Sequence, residues 1–387
     1  MNKKEVLEIR KQFQPENSVI TRICGCYVDH EKEKKFERKD AFLSLPEEEI
    51  CKYLDIFKKT VSGSLGKTLL DMEFPLAQEE PGGTQEFLLR LRNSRLEDEA
   101  LVEEFYEKVI DAFDFSENYY IILIHMVYDI PGKTSDGFTM DDASENVYEG
   151  LLCSICPVGL SAPGLSYNAT ENRMENRLQD WVMQMPFSGF LFPTFSDRTT
   201  DIHHVLYYVK KAKDIYPEFI DAMFGTKIPM TADRQKEVFQ TLITETLGES
   251  CDYEVVKEIY EQIYEEVTEQ RQTEEPFELS KQEIRNAFTR SGVSEEAMEQ
   301  FETIYEQLMD GKETLFAENV MDTKKLEVTL PDVCIKVKQD RTDLVETRVL
   351  NGRKYFVIPA DGSVEINGLD VVVKKEGKET TGTNIPS

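Results

Sequence analysis

Two cysteine pairs and one short polar run contain the candidate metal-binding and catalytic residues of this sequence. Cys24 and Cys26 flank a glycine in ICGCYV, and Cys153 and Cys156 form a C-x-x-C pair in LLCSICPVG. Four thiolates are the ligand set of a structural zinc site, so these cysteines are candidate zinc ligands. The alternative is that all four are small residues buried in neighbouring strands.

The geometry of a β-strand helps to choose between zinc binding and packing. On a strand over 18–28, Cys24 and Cys26 share one face with Ile20, and Gly25 lies on the other face. A kink at Gly25 would bring the two thiols closer together. Cys153 and Cys156 are an odd number of residues apart, so a strand points them to opposite faces. The pattern favours packing over zinc, and convergence of the four sulfurs would decide the matter.

The polar run is FSDRTTDIHH, which holds Asp197, Arg198, Asp201, His203 and His204 within eight residues. Carboxylates and imidazoles bind catalytic metals and act as general acids and bases. His203 and His204 are adjacent on a predicted strand and face opposite ways, so only one of them could join Asp197 and Asp201. The alternative is ordinary turn and strand-entry chemistry.

Other chemical signatures are weak. His125, inside IILIHMVY, is predicted to be a core histidine with one hydrogen bond. Two Gly-Lys-Thr runs mimic a phosphate loop, but Val61 and Val127 occupy the position of its first glycine. The sequence contains neither G-x-S-x-G nor H-E-x-x-H. No cofactor is predicted, and the sequence leans away from an enzyme.

Charge and composition restrict the partners. The 387 residues carry a net charge of -29, which opposes broad binding to nucleic acid or anionic membranes. The exception is the least acidic stretch, 316–375, which contains Lys336, Lys338, Arg348, Arg353 and Lys354. The longest apolar run, 119–128, is about half of the roughly 20 residues that a membrane helix needs. Seven cysteines without an export signal predict a cytoplasmic protein with free thiols.

The elements that position these residues follow from periodicity. Helices are predicted over 44–63, with Ser44 as the N-cap, and over 96–113. Predicted strands cover 18–28, 35–43, 118–130, 147–156, 189–195 and 202–210. Because few helices separate the later strands, we expect an α+β body with a mainly antiparallel sheet over residues 1–228.

The spacing of apolar residues changes twice in the rest of the chain. Residues 229–315 are predicted to form an acidic helical segment, since apolar residues recur at helical spacing and 251–310 carry a net charge of -12. Residues 316–375 alternate with period two and contain Asn351-Gly352 and Asn367-Gly368, which predict hairpins in a small antiparallel β unit. A disordered tail is predicted for 376–387.

Several strings in the chain point to a family. Read together, ITRICGCYVD, AFLSLPEEEI, LGKTLLDMEFP, CSICPVGLSAPGLSYN, FPTFSDRTTDIHHVLYYVKK and LVETRVLNGRKYFVIPADGSVEINGLDV resemble a family of uncharacterised bacterial proteins catalogued as a domain of unknown function. The resemblance covers nearly the whole chain. It implies a bacterial cytoplasmic protein and carries no activity, cofactor or catalytic residue.

Three functions remain open at this stage. The first is a non-catalytic binding or assembly protein with a protein partner or self-association. The second is a metal-dependent hydrolase or nuclease that uses Asp197, Asp201 and either His203 or His204. The third is a nucleoid-associated protein that binds DNA through the C-terminal β unit.

Overall fold

An antiparallel sheet with helices on both faces forms the N-terminal part of the protein. The computed structural model describes residues 1–133, 139–269, 276–309, 315–362, 364–366 and 369–371. Seven strands follow one another across the sheet in the order Lys34–Ala41, Ile20–Val28, Tyr119–Lys133, Thr139–Leu160, Ser188–Phe192, His204–Val209 and Leu69–Glu73. The strand Trp181–Met183 pairs with Thr139–Leu160 beside this path. All of its pairings are antiparallel. The predicted α+β class with a mainly antiparallel sheet is confirmed.

The elements of this part alternate along the chain. Helices α1 to α5 span Lys3–Lys11, Glu47–Thr60, Thr84–Asn93, Glu99–Ala112 and Pro217–Phe224. Strands β1 to β7 span Phe13–Gln14, Asn17–Ser18, Ile20–Val28, Lys34–Ala41, Leu69–Glu73, Tyr119–Lys133 and Thr139–Leu160. Strands β8 to β14 span Leu165–Asn168, Arg173–Asn176, Trp181–Met183, Ser188–Phe192, Thr194–Ser196, Thr199–Asp201 and His204–Val209.

Each face of the sheet is buried in a separate hydrophobic core. Ile121 and Leu123 of β6 pack with α3, α4 and α5, and we call this region the α3–α5 core. Ile122 and Ile124 pack with α1 and α2, and we call this region the α1–α2 core. Because alternate residues of a strand point to opposite faces, β6 supplies both cores. A strand covered on both faces reads as a continuous apolar run, as 119–124 does.

Two sequence predictions are wrong in detail. Ile20 lies in the α1–α2 core, whereas Cys24 lies in the α3–α5 core, because the pairing of β3 with β6 shifts register between Ile20 and Arg22. Ser44 does not cap α2, which begins at Glu47 after Pro46; the Ser44 hydroxyl donates to the Ala41 carbonyl within a 3₁₀ turn.

A second group of helices follows the sheet. Helices α6 to α10 span Ala232–Leu247, Tyr253–Glu269, Lys281–Arg290, Glu295–Leu308 and Ala317–Val320, and the paired strands β15 and β16 span Glu278–Leu279 and Leu315–Phe316. These elements, which we call the helical unit, share a hydrophobic cluster of their own. Ser280 and Glu283 form a capping box at the start of α8, which satisfies two backbone donors of that helix.

Asn319 joins this unit to the loop that precedes β5, and the buried Gln235 holds Asn319 in place. The Gln235 side-chain oxygen accepts from the Phe316 backbone amide at 2.9 Å and from the Asn319 amide at 3.1 Å. Asn319 also donates to the Gly66 carbonyl at 2.9 Å. A Cβ on Gly66, whose φ is +73°, would lie 2.9 Å from the Phe316 ring. The close approach of Phe316 therefore suits a glycine at position 66.

Three hairpins end the described chain. Strands β17 to β22 span Lys325–Leu330, Val333–Lys338, Glu346–Leu350, Arg353–Val357, Val364–Ile366 and Leu369–Val371, and they pair in sequence. Asn351 and Gly352, with φ of 50° and 76°, turn β19 into β20 as predicted. Asn367, Gly368 and the tail 376–387 lie outside the described residues. Tyr253 of α7 contacts this region, with its ring 5.0 Å from that of Phe356.

None of the described helices is long and apolar enough to cross a membrane.

A substitution at Gly25 tests how tightly the α1–α2 core is packed. A Cβ at this position would lie 1.9 Å from the Tyr120 hydroxyl, and Tyr120 is held by burial in the core. We expect Gly25→Ala to lower the free energy of unfolding by about 1–3 kcal/mol through overpacking. Urea denaturation, read as a shift in midpoint at unchanged slope, measures this. In the control Gly164→Ala the new Cβ meets nothing within 4 Å, and stability should change by less than about 0.5 kcal/mol. Equal effects of the two substitutions would contradict the tight contact.

Candidate functional site

The polar run around Asp197 forms a tight hairpin that is tied to α1. Asp197 and Arg198, with φ of 50° and 57°, are the turn between β12 and β13. The Asp197 amide donates to Glu5, and one Arg198 nitrogen donates to both Glu8 carboxylate oxygens at 2.7 and 2.8 Å. Arg198 also donates to the Pro131 carbonyl at 2.9 Å. These contacts give Arg198 a positioning role for α1.

The two histidines of the run pair with different carboxylates. Asp201 accepts from the His203 amide through one oxygen and lies 2.8 Å from His204 Nδ1 through the other. The His203 ring instead contacts Glu79 at 2.7 Å. Asp201 and His204 are therefore brought together, whereas the His203 ring pairs with Glu79 and Asp197 lies in the hairpin turn.

Among the described residues, one group of three or more His, Cys, Asp or Glu side chains has all its ligand atoms within 4.8 Å of one another. It consists of Asp29, Glu31 and Glu33. Asp29 accepts two backbone amides of its own turn, and Lys35 forms ion pairs with Asp29 and Glu33. This group is explained by turn and surface chemistry.

The pair of Glu79 and His203 gives a pH-dependent signal. The hydrogen bond to Glu79 raises the pKa of His203 above its ordinary value. We expect Glu79→Gln to lower this pKa, because the carboxylate that stabilises the imidazolium is removed. Because its pKa is raised, protonated His203 stabilises the fold at pH values below the histidine pKa of the unfolded chain. This stabilisation is lost as the pH rises through the pKa of His203 in the folded protein. NMR titration of the imidazole protons measures the shift. The neighbouring Glu80→Gln removes the same charge and should change this pKa less; an equal shift would show a long-range effect instead.

The four candidate zinc ligands lie on two faces of the sheet. Cys24, Cys26 and Cys153 face the α3–α5 core, and Cys156 faces the α1–α2 core. Cys24 pairs with Leu123, which pairs with Cys153, so Cys24 and Cys153 are separated by two strand spacings, roughly 10 Å. The structure thus does not bring the four sulfurs together. Gly25 accommodates the Tyr120 ring, and the bulges of β3 lie at Ile20/Arg22 and Tyr27/Val28.

Burial separates the cysteines into two reactivity classes. Desolvation raises the pKa of Cys24 to about 11 and that of Cys26 to about 12, and it also raises the pKa values of Cys153 and Cys156. Cys51, Cys251 and Cys334 are exposed.

Because the thiolate is the reactive form, we expect a disulfide reagent to modify three thiols rapidly in the native protein and all seven after unfolding. Rapid modification of more than three native thiols would contradict this burial.

His125 has a richer environment than the sequence suggests. It is fully buried, as expected of a core histidine, but both ring nitrogens have partners. Its Nδ1 lies 2.7 Å from the Thr21 hydroxyl, and its Nε2 lies 2.9 Å from Glu149. The partners are 104 and 24 residues away along the chain, and the sequence carries no local signal for either.

The basic residues of the C-terminal hairpins are spread over different strands. Lys336 and Lys338 lie on β18, Arg348 on β19, and Arg353 and Lys354 on β20. Lys336 pairs with Glu327 at 3.3 Å and Arg348 with Glu346 at 2.8 Å. Two of the five positive charges are thus offset by adjacent carboxylates, which weakens the case for a phosphate-binding surface.

A cavity of about 1010 Å³ lies between α1 and the helical unit. Lys3 and Arg10 line it from α1, and Glu278, Glu283 and Glu318 line it from the helical unit. The walls carry opposite charges, so the lining as a whole selects neither anions nor cations.

A two-stranded ribbon extends from the sheet and exposes a series of large apolar side chains. Beyond Pro157, β7 pairs with β10 among the described residues, and Leu160 lies opposite Trp181. Backbone hydrogen bonds join Asp180 to Ser161 and Gly164 to Arg177, so the ribbon continues into the hairpin of β8 and β9. We call residues 158–185 the ribbon arm. Eleven residues from 158 to 168 span roughly 35 Å when extended.

The tip of the ribbon arm has one apolar and one polar face. Tyr167 lies directly opposite Met174, and Leu165 lies two residues along on the same face. The other face carries Ser166, opposite Glu175, and Asn168, which donates to the Glu175 carboxylate at 2.8 Å. Large side chains of the arm remain 47–84% exposed: Leu160, Leu165, Tyr167, Met174, Leu178, Trp181, Val182 and Met185.

Comparison with known proteins identifies a family for this chain. A family model described as a domain of unknown function (DUF4317) matches residues 1–369. No curated protein and no solved structure matches the chain.

Proposed function

The chain belongs to DUF4317, a family described only as a domain of unknown function, and we propose that it is an assembly protein whose ribbon arms dock two copies. The observation that carries this proposal is the apolar face of Leu165, Tyr167 and Met174 on a ribbon that projects from the sheet. An antiparallel hairpin with one apolar face normally buries that face. A two-stranded hairpin alone is also marginally stable in water, so a partner would stabilise it.

The charge distribution favours a second copy as the partner. The protein carries -29 overall, whereas residues 161–185 contain three acidic and two basic side chains. Two copies that meet along their arms therefore experience less repulsion than the net charge of the chain suggests. The exposed apolar side chains that share a face of the arm, on the order of 100 Å² each, could supply part of the roughly 800 Å² per partner that a standard interface buries.

Free thiols support a reducing compartment for this protein. All seven cysteines are free, and four of them are buried in the two cores. Disulfides are rare in the cytosol, so the proposal places the assembly in the cytoplasm. The resemblance of the sequence to bacterial proteins supports a bacterial source.

Trp181 offers a direct reporter of docking. It is the one tryptophan of the chain, lies on the ribbon arm and is 58% exposed. We expect its emission to shift to shorter wavelength as protein concentration rises, in step with dimer formation seen by sedimentation. Added salt should strengthen the dimer, because it screens the repulsion between two acidic copies.

Matched substitutions on the two faces of the tip test the docking surface. Tyr167→Lys should weaken dimerisation about tenfold or more, because it places a charge on the apolar face. Ser166→Lys adds the same charge on the polar face, opposite Glu175, and should change dimerisation little. A monomer at every concentration, with an unshifted Trp181 emission, would overturn the proposal.

A further inference from the structure

A β-bulge near the start of β3 directs Thr21 toward a buried histidine. The pairing of β3 with β6 shifts register between Ile20 and Arg22, and Thr21 is the residue in between. The Thr21 hydroxyl lies 2.7 Å from His125 Nδ1 and 3.3 Å from the His125 carbonyl. Bulges commonly re-aim a side chain, and they are frequent beside active sites. Here the bulge brings a hydroxyl to an imidazole.

The partners of His125 determine where its protons lie. A carboxylate only accepts, so His125 Nε2 carries the hydrogen that is donated to Glu149 at 2.9 Å. In the neutral ring Nδ1 is then bare and can only accept. Thr21 therefore donates its one hydroxyl proton to Nδ1, the nearer acceptor, rather than to the His125 carbonyl at 3.3 Å. Nucleophile, base and orienting carboxylate stand in the order that general-base activation of a hydroxyl requires.

The surroundings of His125 support its neutral form. Burial lowers the pKa of His125, and the nearby charges of Arg92 and Arg95 act in the same direction, against the opposing effect of Glu149. Arg95 lies 3.4 Å from Glu149, and on the neighbouring strand Arg22 pairs with Glu97 at 3.1 Å. A neutral imidazole is the form that can take a proton.

We propose that Thr21 is an activated nucleophile that accepts an acyl group from an activated ester. His125 acts as its general base, and Glu149 is a positioning residue that holds the imidazole. Thr21 is exposed at the surface while His125 is fully buried, so an ester can reach the hydroxyl while the base stays out of water. This chemistry is independent of docking through the ribbon arm.

The step balances without a further reactant. Thr21 Oγ forms a bond to the ester carbonyl carbon, and its proton moves to His125 Nδ1. The bond from that carbon to the leaving alcohol oxygen breaks, and the departing oxygen takes the proton from His125. The products are an acyl-threonine ester, a free alcohol and a neutral histidine.

p-Nitrophenyl acetate is a suitable probe of this reaction. We expect one equivalent of rapid p-nitrophenolate release and an acetyl group on the Thr21 peptide by mass spectrometry. Thr21→Val should abolish this adduct and Thr21→Ser should keep it. Glu149→Gln should slow it about tenfold or more, because the ring loses its orienting carboxylate. The rate should fall only below the ordinary histidine pKa of about 6.5, when His125 becomes protonated.

Internal controls separate activation from background acetylation. Thr347 is an exposed strand threonine whose hydroxyl donates to Glu254, without an imidazole, so its peptide should remain unmodified and Thr347→Val should change nothing. Slow acetylation of lysines should be the same in every variant. A Thr21 adduct no faster than that of Thr347, or a rate unaffected by Glu149→Gln, would overturn the proposal. Unchanged urea midpoints show that the variants are folded.

Discussion

The pairing of β6 with β7 sets the positions of both hydrophobic cores of the sheet. It joins residues 119–133 to residues 139–157 at the centre of the sheet. Alternate residues of β6 enter the α3–α5 core and the α1–α2 core, so a slip of one residue would turn every side chain to the wrong core. The same register places Glu149 beside His125.

The ribbon arm forms because β7 extends beyond the neighbouring strands that pair with it in the sheet. Strand β11 pairs with β7 at residues 151–155 and β6 as far as Pro157, whereas β7 continues to Leu160. Within the cores, apolar residues are covered by helices on both faces. Past Pro157 the chain keeps large apolar residues, including Leu160 and Trp181, that remain exposed. The proposed docking of two arms would cover these side chains.

The two proposed sites lie far apart along β7, which supplies Glu149 to one and the start of the ribbon arm to the other. Glu149 is nine residues from the start of the ribbon arm at residue 158, roughly 30 Å along an extended strand. The charges also differ. The arm is nearly neutral, while Arg22, Arg92 and Arg95 lie near His125 in a chain of net charge -29. Docking of the arms and acylation of Thr21 can consequently be measured, and can fail, independently.

Features that depend on neighbours along the chain follow from the amino-acid sequence alone. Alternation and turn chemistry predict the strand around Cys24, the opposed faces of Cys153 and Cys156, and the Asn351-Gly352 hairpin, and the quoted strings identify the family. Other features became visible only in the folded protein: which strands pair, that the His203 ring contacts Glu79 rather than Asp201, and that a bulge brings Thr21 to His125 across 104 residues. The reason is that periodicity records which face of an element is buried. A contact between distant elements depends on strand register, which no local pattern encodes.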